Sequence, residues 1–234
     1  RDLHLSIRRQ RQMCIRDSLY PTKTFTDQIE FEAAGHKVQL FHAPGETNDQ
    51  LFVWLPEKKA LFPGDNFYKT FPNLYTIRGT PYRDLVGWVN SIDMMRYLEP
   101  EFLVPSHTRP IVGKENINKL LTTYRDAIQF VHDQTVRLMN LGLDPNEIAE
   151  QLVLPKHLGD SPYLKEFYGS PAWSAKNVFS GYLGWFDGNP STLKPLPLKD
   201  EAEKIIQLSG DWDSLFKAVS YTHLRAHETR EDRV

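Results

Sequence analysis

Glu46, Asp65 and His107 are the residues of this chain best placed to do chemistry together. Each stands just past a short apolar run and a turn, in the segments FHAPGE, ALFPGD and FLVPSH. Two carboxylates and an imidazole are donor types that a pair of divalent ions requires. A shared carboxylate can bridge two such ions, so that water bound between them ionises near neutral pH. Singly, a loop glutamate, a Gly-Asp turn and a Ser-His pair are common structural features. The three in this order, with Asp65 and His107 at strand ends where ligands of open sheets collect, favour a metal site. Arg78 carries a rigid guanidinium fork that suits an oxyanion, or equally an exposed ion pair; the residues alone leave both readings open.

The elements that must position these side chains follow from periodicity. Thr24 to Glu32 and Lys37 to His42 alternate about an Ala-Ala-Gly-His turn, which predicts a β-hairpin at a sheet edge. Leu51 to Leu55 and Lys59 to Phe62 flank Pro56-Glu57-Lys58, a second hairpin whose continuous apolar run predicts burial on both faces. Leu85, Trp88, Val89, Ile92, Met95 and Leu98 recur at helical spacing behind Asp84 as N-cap, and a strand follows at Phe102 to Val104. Beyond Gly113 the pattern turns helical. Ile117 to Leu138 marks one long amphipathic helix stopped near Leu141 by Gly142, and Asp144-Pro145 opens a short one. Further helices are expected at Ala172 to Leu183, Lys199 to Leu208 and Asp211 to Lys217, with a Pro-rich link from Pro190 to Pro197. The expected fold class is α/β followed by all-α, divided near residue 113.

The two ends have a different look. Gln12 to Ser18, written as one DNA strand, has a reverse complement that translates to Ala218 to Leu224. Opposite strands of one adapter at both ends of an insert would produce that relation, so residues 1–18 and 218–234 are expected to be adapter-like tails. Cys14, the single cysteine of the chain, falls in the first tail, which leaves no thiol chemistry to the stretch between. A formal net charge of −2 gives no footprint for nucleic acid, and no apolar run is long enough for a bilayer span. The N-terminus being in doubt, the compartment stays open.

PGE at Pro44–Glu46, PGDN at Pro63–Asn66, NLYTIRG at Asn73–Gly79 and Ser106-His107 resemble the C-terminal half of the metallo-β-lactamase domain of alkyl sulfatases. HDQTVRLMN from His132, DPNEIAE from Asp144 and GYLGWFDGNP from Gly181 are similar to that family's helical dimerisation domain. The resemblance covers nearly all of residues 20–217, dividing them into a partial αββα metallo-β-lactamase fold at 19–113 and a dimerisation domain at 114–217. It implies hydrolysis of a small-molecule sulfate ester at two zinc ions, in a homodimer. Glu46 would ligate one ion, His107 the other, and Asp65 would bridge them. Arg78 would grip the sulfate, with Asn73 and Tyr182 as neutral donors. Glutamate at position 46, where many relatives carry histidine, marks the sulfatase branch; aspartate at 65, where sulfatases often have glutamate, departs from it. The family's upstream His-x-His-x-Asp-His motif has no counterpart here, so this piece alone is expected to be inactive. Another metallo-β-lactamase-fold hydrolase, or a dimerisation module with a vestigial site, are the alternatives.

Other candidates weigh less. His42, four residues before Glu46, could touch substrate but reads more readily as a hydrogen-bonded strand-end residue. Trp185 and Phe186 could line an alkyl channel or simply pack. Tyr75 reads as packing. His132 and Asp133 read as structural, with Asp133 and Arg137 as a solvated i, i+4 pair.

Overall fold

A computed structural model describes residues 21–77 and 79–220. Strands β1 (Gln28–Ala33) and β2 (His36–His42) pair antiparallel across an Ala34-Gly35 turn in which both residues take positive φ. β3 (Leu51–Leu55) and β4 (Ala60–Phe62) pair around a 3₁₀ turn at Pro56–Lys58. β5 (Phe102–Leu103) then lies parallel to β4, and β6 (Ile111–Val112) closes the sheet antiparallel to β5. Sheet order equals chain order.

The parallel step from β4 to β5 needs a crossover, and helix α1 (Leu85–Tyr97) lies within it. Asp84 caps it by accepting the Val86 amide proton. Its Trp88, Ile92 and Met95 are fully buried and share one core with Phe52, Leu61, Phe67 and Leu103. The long helix α2 (Lys114–Asn140) packs on α1 and adds Ile117, Leu121, Tyr124 and Ile128 to that core. α3 (Pro145–Gln151) starts on a complete capping box: Asp144 accepts the amide protons of Asn146 and Glu147, while the Glu147 carboxylate accepts that of Asp144. The single turn α4 (Lys156–Gly159) follows, and α5 (Pro171–Leu183) packs on α2 and α3.

These elements form one compact unit that ends at Gly184; a second begins at Trp185. The second holds α6 (Pro190–Leu193), α7 (Leu198–Ser209) and a helical run at 212–220. Among the described residues no helix is long and apolar enough to cross a membrane.

Two expectations need correction. β3 is not buried on both faces: Phe52 and Trp54 are buried while Leu51, Val53 and Leu55 stay partly open, because the core lies on one side of the strand. Asp133 does not pair with Arg137. It accepts from Gln129 and meets His132, while Arg137 donates to Gln134, since exposed charges on a helix gain little from any one partner. Asn189 caps the turn Pro190–Leu193 within the Pro-rich link by accepting the Ser191 amide proton. Most of both expected tails lies outside the described residues.

Candidate metal centre

Strand direction explains how three residues distant in sequence meet. β3 runs antiparallel to both β2 and β4, so β2 and β4 are parallel to each other, and β5 is parallel to β4. The carboxyl ends of all three therefore lie at one edge of the sheet. Glu46 follows β2, Asp65 sits in the 3₁₀ turn Gly64–Asn66 after β4, and His107 follows β5. All three line one cavity of about 400 Å³, together with Tyr68, Thr70 and Tyr168. A larger hollow of about 630 Å³, from Thr47 to Ser106, holds none of the three donors.

Asp65 Oδ1 and His107 Nε2 are 3.3 Å apart, with side chains 37% and 67% exposed. Glu46 is held differently. Its side chain is 15% exposed and pairs through Oε1 with Nη1 of Arg83 at 3.1 Å. Its amide donates to Oδ1 of the buried Asn66, which in turn donates from Nδ2 to the Ala43 carbonyl at 2.7 Å. The Asn66 carbonyl accepts from the Trp88 indole, so the helix of the crossover anchors the turn that carries Asp65. Gly45 makes this approach possible, because a Cβ there would lie 2.0 Å from Asn66 Oδ1.

Burial pushes the Glu46 carboxyl above its ordinary value; Arg83 opposes the shift and the neighbouring Asp65 charge adds to it. The Tyr68 phenol is also pushed up, by burial first and by the Glu46 charge second, so it stays protonated beside the carboxylates. Its oxygen accepts the Asn73 amide proton at 2.7 Å. Among the described residues the cavity thus combines two carboxylates, one imidazole and the protonated phenol of Tyr68, with the buried guanidinium of Arg83 behind Glu46.

The profile of the metallo-beta-lactamase superfamily matches residues 8–107, and that of the alkyl sulfatase dimerisation family matches residues 144–230. Both matches run on into the end segments expected to be extraneous. A linear primary-alkylsulfatase of Pseudomonas sp. is 42% identical over 88% of this chain and 39% of its own length. The alkyl/aryl-sulfatase BDS1 of Saccharomyces cerevisiae is 34% identical over 80% of this chain and 30% of its own. Over most of its length the chain is similar to alkyl sulfatases, with matches to the metallo-beta-lactamase superfamily and to the alkyl sulfatase dimerisation family. Among solved structures, the stereoselective inverting sec-alkylsulfatase Pisa1 from Pseudomonas sp. superposes with a TM-score of 0.78 at 27% identity, over 89% of this chain and 33% of that one. The chain spans well under half the length of the alkyl sulfatases it matches.

The metallo-beta-lactamase superfamily implies metal ions. In this chain the donors fit a divalent cation in chemical type and in their convergence, with an oxygen of Asp65 beside a nitrogen of His107 and Glu46 on the same cavity. They do not close a shell by themselves: among the described residues no three His, Cys, Asp or Glu side chains stand close enough to hold an ion.

The remaining sequence candidates divide. Arg78 lies outside the described residues. Asn73 is buried and joins the site through its main chain, its amide on Tyr68 and its carbonyl on Arg83. Tyr182 shares its hydroxyl with His132 Nε2 at 2.8 Å and turns its ring edge to Tyr82. Neither Asn73 nor Tyr182 is among the described residues lining the donor cavity. His42 donates to the Asn48 carbonyl, the hydrogen-bonded role expected of it. Trp185 and Phe186 stack edge to face in the second unit. Sequence reasoning missed Asn66, Tyr68 and Arg83. Asn66 sits inside the quoted PGDN turn and could have been noticed; Arg83, next to a helix cap, carries no local signal.

Proposed function

We propose that the whole protein hydrolyses alkyl sulfate esters at a two-zinc centre to which this chain contributes Glu46, Asp65 and His107. The observation that carries the reading is the convergence of these three side chains, from three parallel strand ends, on one cavity in a chain similar to alkyl sulfatases. When bound, the ions would supply water activation and charge neutralisation. Glu46 would serve one ion, His107 the other, and Asp65 both. Arg78 would grip the sulfate oxygens as a fork, with Asn73 and Tyr182 as neutral donors. Tyr68, held protonated by burial and the Glu46 charge, can donate a hydrogen bond into the cavity without adding charge.

Three donors shared between two ions leave each with two, which is too few for a defined open shell. The 234-residue chain on its own is therefore expected to release no sulfate. A homodimer is proposed through residues beyond 113, supported by the dimerisation-family match and by the exposed apolar side chains of α7 and the helical run after it. The test is sulfate release from a linear long-chain alkyl sulfate by the whole protein, with and without a zinc chelator. His107→Ala should lower kcat/KM at least about 100-fold, and Arg78→Ala should weaken sulfate-ester turnover strongly. Unchanged turnover in the chelated protein or in His107→Ala would overturn the reading.

A further inference from the structure

Arg83 is among the most deeply buried charges of the described chain, with a side chain 6% exposed. A guanidinium in that setting must be neutralised and must use its hydrogen bonds, or its desolvation goes unmatched. One nitrogen, Nη1, meets two acceptors: Glu46 Oε1 at 3.1 Å and the main-chain carbonyl of Asn73. Arg83 thereby ties the loop after β2, which carries Glu46, to the segment after Phe71, which carries Asn73. Its own backbone is fixed, because the next residue is the N-cap of α1. Among the described residues the Asp65–His107 pair shows no such clamp, and it is far more exposed.

We infer that Arg83 is a positioning residue for Glu46: it takes one carboxylate oxygen and so aims the other at the cavity that Glu46 lines. The inference rests on the metal reading of Glu46, Asp65 and His107. Two physical effects oppose each other here. The guanidinium charge repels a divalent cation, whereas the fixed carboxylate spares the site the cost of ordering a ligand when the cation arrives. Supports of this kind behind a metal ligand typically change affinity 10- to 100-fold. An arginine can do this better than a lysine, since its rigid planar head holds the one engaged nitrogen, Nη1, in a fixed direction toward Glu46 and the Asn73 carbonyl.

The experiment is a Co²⁺ titration of the metal-stripped whole protein proposed above, followed by calorimetry and by the visible absorption of the bound ion. Thermal unfolding of the metal-free protein is measured alongside. Wild type, Arg83→Met, Arg83→Lys and His107→Ala are compared. Arg83→Met should weaken Co²⁺ binding about 10- to 100-fold and alter the absorption band. Arg83→Lys, which keeps the charge, should unfold close to the wild-type temperature yet bind Co²⁺ with an intermediate loss. If Arg83→Met fails to fold, the lysine variant decides alone. Binding as tight as wild type, or tighter, in whichever variant folds overturns the inference, because then charge outweighs orientation. That result is distinct from failure of the metal reading itself, in which wild type binds no Co²⁺ or His107→Ala binds it unchanged; either of these overturns both.

Discussion

The described residues up to Gly184 and those from Trp185 onward differ in how many of their apolar side chains they bury. In the first unit Trp88, Phe52, Phe67, Phe71, Ile92 and Met95 are sealed in one core that both α1 and α2 help to build. In the second unit α7 has no buried residue, and Leu198 and Leu208 are 85% and 88% exposed, with Trp212 and Phe216 largely open as well. The first unit draws its stability from inside. The second carries a stripe of apolar residues on helices that can become stable only against another surface, and the dimerisation-family match points to a second copy as that surface.

The sharpest way to break this comparison is to remove one tryptophan from each unit. Trp88→Ala should cost about 3–5 kcal/mol in denaturant unfolding, since it opens a cavity and also removes the indole bond to the Asn66 carbonyl. Trp212→Ala, measured on dilute protein, should change unfolding by no more than about 0.5 kcal/mol. Similar losses at the two sites would show that the units are not built differently.

Association is the next effect in size. Ile205→Asp combined with Leu208→Asp should raise the dimer dissociation constant at least about 100-fold, close to 3 kcal/mol, by burying charge in the stripe. Sedimentation velocity reads this, and circular dichroism should show the first unit's helices intact. A wild-type chain that sediments as a monomer at micromolar concentration would remove the second copy from the argument.

Within the first unit, hydrogen bonding matters less than packing. Asp144→Ala deletes the accepting half of a complete capping box and should cost about 1 kcal/mol. A loss as large as that of Trp88→Ala would mean that α3 organises the core rather than decorating it.

The smallest effect concerns Glu46, where burial is incompletely matched by charge. Glu46 has a raised carboxyl, so between its unfolded value near 4.5 and its higher folded value the native state holds more protons than the unfolded state. The metal-free protein should therefore lose some stability as pH rises through that window, and Glu46→Gln should flatten the slope. Urea unfolding at a series of pH values checks the sign. A stability that rises there because of Glu46 would mean that Arg83 outweighs burial.

Much of the fold was legible in the chain. The Asp84 and Asp144 caps, the hairpin turn at Ala34-Gly35 and the stop at Gly142 depend on neighbours within a few residues, so local chemistry decides them. The donor types and their positions after apolar runs were legible for the same reason. The exposure of half of β3 was not, because an apolar run says which residues can be buried and not what arrives to cover them. Nor was the failure of the Asp133–Arg137 pair, where several partners of equal worth compete.

What only the tertiary structure decided is how the site is held. Periodicity placed Glu46, Asp65 and His107 at element ends; strand direction brought those ends to one edge and made a single cavity of them. The clamp on Glu46 joins residues 46, 66, 73 and 83, which come together through the pairing of β2, β3 and β4 and the return of α1. A buried charge finds its partner through the packing that excludes water from both, and that packing is a property of the assembled core rather than of any stretch of chain.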